Sequence, residues 1–223
     1  MPLFDDQAKK EVSAFFSERL KANGAARIIT FVPKDVSGCE YCSEIEELSS
    51  ELETLSQGKV KSQRLTIEDA RELADRFKVK RAPATVVTDD KQSFALKFYG
   101  LPSGYEFSAL LADLEDVSNG RSSLRDSTIQ SVQKLDKPVH IQVFVTPSCP
   151  YCPRAVRTAH QLSLANPAMI DAEMIESSEF PELAERYSVM AVPKIVINDS
   201  VEFDGALPEQ TFVSKVEEAV SVA

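Results

Sequence analysis

Cys149-Pro150-Tyr151-Cys152 and, 110 residues before it, Cys39-Glu40-Tyr41-Cys42 hold all four cysteines of this 223-residue chain. The same offset carries Glu72-Leu73-Ala74-Asp75-Arg76-Phe77-Lys78-Val79-Lys80-Arg81-Ala82-Pro83 onto Glu182-Leu183-Ala184-Glu185-Arg186-Tyr187-Ser188-Val189-Met190-Ala191-Val192-Pro193, with six positions identical. Each second cysteine stands 41 residues before its proline. Beyond the prolines the offset slips to 105, pairing Phe98, Gly100 and Phe107 with Phe203, Gly205 and Phe212, as a shortened hairpin turn in the second half produces. A repeat of this length is one domain used twice. The polar stretch Ser118-Asn119-Gly120-Arg121-Ser122-Ser123 has the composition of a linker, which places one domain at 1–120 and the other at 121–223.

Each half alternates strand and helix signals. Short apolar runs, Ile28–Val32 and Val139–Val145, suit buried strands. Each runs into its cysteine motif, after which Ile45, Leu48, Leu52 and Leu55, or Val156, Ala159 and Leu162, recur at helical spacing. Both cysteine pairs therefore belong at helix starts. A second helix opens at Thr66, with Asp69 three residues on as a capping-box-like signal, and its counterpart opens near Ser178 with Pro181 in the first turn. Ala84–Val87 and Lys194–Ile197 follow the prolines as strands. A further short strand (Phe94–Tyr99; Val201–Phe203) and an amphipathic helix (Glu106–Val117; Glu209–Val220) close each half. The order α-β-α-β-α-β-β-α, twice, makes this an α/β protein in which each domain has a mixed central sheet with helices on both faces.

Composition narrows the function. Hydrophobic residues are 43% and charged residues 27% of the chain, which is ordinary for a folded domain. The net charge of −10 leaves no cationic footprint for phosphates, so neither nucleic acid nor an anionic membrane surface is an expected partner. No run approaches a membrane span, and Met1-Pro2-Leu3-Phe4-Asp5-Asp6 has neither a basic nor an apolar leader segment, so the expected location is the cytoplasm. Thiols there are kept reduced, and close cysteine pairs read as catalytic or metal-binding before they read as staples.

Two cysteines flanking two residues at a helix N-terminus supply what thiol-disulfide exchange needs. Unpaired N–H groups and the positive dipole end stabilise the first sulfur as a thiolate, and the second lies close enough to resolve a mixed disulfide. Cys39 and Cys149 are thus the expected attacking thiols, and Cys42 and Cys152 the more buried resolving ones. Tyr41 and Tyr151 give apolar cover, and Pro150 and Pro153 sit where a missing N–H costs nothing. Glu40 puts a negative charge beside Cys39 where Pro150 is neutral, which predicts a higher thiolate pKa at Cys39 and a more oxidising second site. Half a zinc site looks like one such pair, but the 106 residues between the motifs far exceed zinc-ribbon spacing, and each pair has its own strand, helix and proline, so no metal is expected.

A strand, a Cys-x-x-Cys helix and a proline opening the next strand resemble the thioredoxin fold, and Cys149-Pro150-Tyr151-Cys152 is similar to a glutaredoxin active site. The tandem pattern, over nearly the whole chain, resembles the glutaredoxin-like protein disulfide oxidoreductases of thermophiles, and so implies two tandem thioredoxin-like domains. The resemblance implies cis-prolines at Pro83 and Pro193, backbone groups for an extended substrate at Ala82 and Val192, and close substrate approach at Gly100 and Gly205. It further implies protein disulfides and dithiols as substrates. No organic cofactor is implied as bound; the redox-active disulfides would be reduced indirectly by NADPH through a thioredoxin-reductase-like flavoprotein, with a peroxiredoxin as a further partner.

The chain departs from these families in places. Thr30 and Val143 stand where thioredoxin buries an Asp, no Trp flanks a cysteine, and Tyr99-Gly100-Leu101 and Asp204-Gly205-Ala206 lack the Gly pair and acidic residue with which glutaredoxins hold glutathione. The first half also has a longer loop, Pro33–Gly38, before its motif. Two other functions fit the same residues. One is an electron relay like the tandem module of alkyl hydroperoxide reductase flavoproteins, which keeps one working cysteine pair where this chain keeps both. The other is a peptide-binding chaperone with incidental dithiols. His140, at a strand edge, and His160, over two turns past Cys152, read as structural. Glu44, Glu46, Glu47, Glu51 and Glu53 read as a solvated helix face before a partner-docking surface, and Arg154 and Arg157 either steady a thiolate or an anionic partner or lie on the surface.

Overall fold

The central strands of each half form where the sequence concentrates its short apolar runs. The computed structural model describes residues 3–21 and 26–222. In chain order the first half contains α1 (Asp6–Arg19), β1 (Ala26–Val32), α2 (Cys42–Leu55), β2 (Val60–Thr66), α3 (Arg71–Arg76), β3 (Ala84–Asp89), β4 (Leu96–Tyr99) and α4 (Phe107–Asn119). The second contains α5 (Asp126–Val132), β5 (Val139–Val145), α6 (Cys152–Ala165), β6 (Ile170–Glu176), α7 (Pro181–Arg186), β7 (Lys194–Ile197), β8 (Val201–Asp204) and α8 (Glu209–Val222). By contacts the chain divides into two compact units, Met1–Leu101 with Asp113–Gly120, and Pro102–Ala112 with Arg121–Ala223.

In the first unit β1 runs parallel to β2 and antiparallel to β3, and β4 pairs antiparallel with β3, giving the order β2-β1-β3-β4. The second repeats it as β6-β5-β7-β8. The central strands β1 and β5 bury every residue but their second, Arg27 and His140, which is why they read as continuous apolar runs rather than alternating ones. Ile45, Leu48 and Leu52 of α2, and Val156, Ala159 and Leu162 of α6, are buried. Burying a Leu or Ile side chain contributes roughly 1.5–3 kcal/mol, so these stripes fix each helix and the cysteine at its start.

The helix expected from Thr66 begins five residues later. Thr66 stays in β2, paired with Val32. Its hydroxyl accepts the Asp69 N–H at 3.1 Å and its carbonyl the Ala70 N–H at 3.1 Å, so the cap-like signal closes a turn and α3 starts at Arg71. The counterpart near Ser178 shifts for the same reason. The Glu176 carboxylate accepts the Glu179 N–H at 2.7 Å, and α7 starts at Pro181, where the missing N–H has no helical partner to lose.

Candidate active sites

At the end of β5 the chain turns through Thr146-Pro147-Ser148, closed by the Cys149 N–H on the Thr146 carbonyl at 3.1 Å. Cys152 is the first residue of α6, so its N–H has no partner within the helix, and it donates instead to Cys149 Sγ at 3.1 Å. That sulfur also lies 3.7 Å from the Val192 carbonyl oxygen. The Val192–Pro193 bond is cis. The Pro193 carbonyl accepts the Gly205 N–H at 2.8 Å, which ties the end of β8 to the proline loop. Gly205 has φ +85°, a conformation that a side chain disfavours, while a Cβ there would meet nothing within 4 Å.

The first unit repeats this arrangement. Ala82–Pro83 is cis, and the Pro83 carbonyl accepts the N–H of Gly100, at φ +89°, across 3.1 Å. The longer loop forms a 3-10 turn, Val36–Gly38, and the Cys39 N–H donates to the Val36 carbonyl at 3.0 Å. The Asp35 carboxylate caps that turn by accepting the Ser37 N–H at 3.0 Å, and this bond holds Asp35 below its ordinary pKa.

Both pairs are closed as disulfides, Cys39–Cys42 and Cys149–Cys152, with Cα–Cα separations of 5.6 and 5.5 Å. The first cysteine of each pair is the more exposed: Cys39 is half-buried over a buried Cys42, and Cys149 is 7% exposed over a Cys152 at 0%. Cys149 is thus more covered than its expected role as the accessible thiol suggested, because its sulfur sits beneath the Val192 backbone. The surroundings also differ. Pro150 and Tyr151 are exposed, while Glu40 is exposed and Tyr41 half-buried. No cluster of three or more His, Cys, Asp or Glu among the described residues is arranged to hold a metal ion.

A residue that sequence reading missed supports the second site. Gly104, at φ +58°, lies so close to the Cys149 loop that a Cβ would fall 2.3 Å from the Pro147 carbonyl oxygen, and the next N–H, of Tyr105, donates to that oxygen at 3.0 Å. Its sequence signal is a break in the repeat: the 105-residue offset places Glu209 opposite this glycine.

Several of the remaining candidates engage other groups. His140 Nε2 lies 3.1 Å from Glu173 Oε1 on the neighbouring strand, and His160 is buried within α6. In the acidic face of α2, Glu46 pairs with Arg64 at 2.6 Å, Glu51 with Lys9 at 3.6 Å, and Glu53 accepts from Ser62 at 2.6 Å. Arg154 donates to the Ala206 carbonyl.

Residues 139–218 match the family model of a thioredoxin domain. A protein disulfide oxidoreductase from Aeropyrum pernix is 30% identical, with a TM-score of 0.86 over 98% of this chain and 94% of that one. An N-terminal domain of alkyl hydroperoxide reductase from Enterococcus faecalis shares the fold at a TM-score of 0.83 and 23% identity, over 96% of this chain and 99% of that one. An alkyl hydroperoxide reductase from Staphylococcus aureus is 30% identical over 138 residues, which are 62% of this chain and 27% of that protein. The chain thus spans about a quarter of the length of the curated relatives it matches.

Proposed function

We propose how the two dithiols work from one premise, that the chain belongs to the protein disulfide oxidoreductase family and is a thiol-disulfide oxidoreductase acting on protein disulfides through its two Cys-x-x-Cys sites. The observation that carries the mechanism is the placement of Cys149 Sγ between the Cys152 N–H and the Val192 carbonyl. The N–H stabilises negative charge on that sulfur, and the carbonyl marks where an extended client lies when the thiolate reaches its disulfide. In the reduced protein the Cys149 thiolate attacks one sulfur of the client disulfide, and the other leaves as a thiolate. Cys152 then attacks Cys149 Sγ, the mixed disulfide breaks, and the client receives two electrons while Cys149–Cys152 closes. Cys39 and Cys42 perform the same steps in the first unit, and Ala82, Pro83, Gly100, Gly205 and Pro193 shape the two client grooves. Run backwards, the closed pairs oxidise client dithiols.

The dithiols are regenerated by a thioredoxin-reductase-like flavoprotein that draws on NADPH, and the work is done in the cytoplasm. Likeness to the Staphylococcus aureus alkyl hydroperoxide reductase favours a second reading, in which electrons pass through this chain from such a flavoprotein to a peroxiredoxin. The discriminating experiment replaces cysteines singly and together. Cys42→Ser and Cys152→Ser are expected to accumulate mixed disulfides with client protein, and Cys39→Ser and Cys149→Ser to accumulate none; equal trapping by both classes overturns the assignment. Replacing all four by Ser is expected to abolish insulin reduction. Were that variant still to suppress aggregation as well as the parent does, a peptide-binding chaperone would be the better description.

A further inference from the structure

Resting on that reading, we propose that the two sites select clients of opposite chemistry through the residue two positions before the backbone that faces the sulfur. In the second unit that residue is Met190, 93% exposed, and the motif itself presents Tyr151 at 67% exposure. No other large hydrophobic side chain among the described residues is as exposed as these two. Water disfavours such surface, and Met190 and Tyr151 belong to the proline loop and motif of the second dithiol with the exposed, uncharged Ala191 and Pro150 beside them, whereas the turn before Cys39 exposes only one large hydrophobic, Val36, at 44%.

The equivalent positions in the first unit carry charge. Lys80 replaces Met190, Arg81 replaces Ala191 and Glu40 replaces Pro150, and Lys78 replaces Ser188. Lys78 and Lys80 are exposed. The half-buried Arg81 guanidinium instead lies over the Tyr99 ring at 5.2 Å, at the end of β4. The exposed charges on the first proline loop and motif thus comprise two cations, Lys78 and Lys80, and one carboxylate, Glu40, in a chain whose net charge is −10.

The geometry sets the register of recognition. A client strand lying along Val192 or Ala82 with its half-cystine over the sulfur carries a side chain on the same face about 7 Å further along, toward the bend that Met190 or Lys80 precedes. At the second site an apolar side chain there is buried against Met190 and Tyr151. At the first, a client carboxylate there meets Lys80. The second site therefore takes segments with apolar residues two positions from the cysteine, and the first takes segments with acidic residues there.

The test uses the full chain in two reduced forms, one with Cys39 and Cys42 replaced by Ser and one with Cys149 and Cys152 replaced. Each is mixed with cysteine peptides linked to a 2-nitro-5-thiobenzoate leaving group, with Leu, Glu or Lys two positions to either side. Release rates are taken relative to the same leaving group on mercaptoethanol. The chain keeping the second site is expected to favour the Leu peptide over both charged peptides by about fivefold, and the chain keeping the first to favour Glu over Lys by about fivefold, the latter ratio shrinking as salt rises from about 0.02 to about 0.5 M. Met190→Lys and Lys80→Met are expected to exchange these preferences. The same peptide order in both chains, or orders that survive the exchange, overturn the proposal. Failure of either chain to release the leaving group from any probe would instead count against the dithiol mechanism.

Discussion

Gly104 and Gly205 separate two reasons for a glycine. At Gly205 there is room for a Cβ, so an alanine costs only the φ of +85°, on the order of 1–2 kcal/mol. At Gly104 the φ of +58° is joined by a Cβ position 2.3 Å from the Pro147 carbonyl, which cannot yield without moving the loop that leads to Cys149. Gly104→Ala is therefore expected to lower stability by more than Gly205→Ala, and to slow insulin reduction by a chain keeping only the second pair while sparing one keeping only the first. Urea midpoints and initial rates on the one-pair chains measure this; unchanged second-site turnover would show that the Gly104 contact does not position the loop. The cysteine pairs stand out by their spacing, and the cis bonds before Pro83 and Pro193 are expected from the family resemblance that the repeat carries. Gly104 was not legible, since its partner lies 43 residues away and no periodicity connects them.

Elements were legible in kind and less so in extent, and Thr66 shows why. A threonine followed by an acidic residue three positions on satisfies a helix start and a tight turn alike, and only pairing with Val32 decides that the strand keeps it. One element junction carries its own pH dependence. Tyr187 follows α7, its ring is 5.5 Å from that of Phe144, and its hydroxyl donates to Asp199. Burial, that hydrogen bond and the Asp199 charge push its pKa up to about 12. The phenol is thus held protonated in the fold beyond the ordinary value of 10.0. The contribution is complete below pH 10 and disappears as pH rises toward 12, because the unfolded chain ionises first. Tyr187→Phe removes the hydrogen bond at every pH, but its stability is expected to fall less than the parent's across this window. Parallel curves of urea midpoint against pH would exclude Tyr187 as the titrating group.

At the scale of the molecule, a tandem repeat with two complete sites can work in parallel or in series. Each unit has its own disulfide, cis-proline and glycine tie, so the insulin-reduction rates of the two one-pair chains are expected to sum to about that of the intact chain. A sum far below it would mean that electrons entering at one dithiol leave by the other. The tandem fold was readable in the sequence because the 110-residue offset repeats both the chemistry and its scaffold. The different covering of Cys39 and Cys149 was not, because it depends on loop geometry that the matching motifs do not encode.

The repeating unit and the packing unit are also different objects. Residues 102–112 precede the polar junction yet belong to the compact unit of the second dithiol, where Gly104 and Tyr105 abut Pro147. A gene fragment opened at residue 121 would inherit every element of the second repeat and still lack the buttress of its reactive loop. For anyone excising that half as a minimal reagent, or grafting it onto another protein, residues 102–112 are worth keeping with it, although the repeat assigns them to its neighbour.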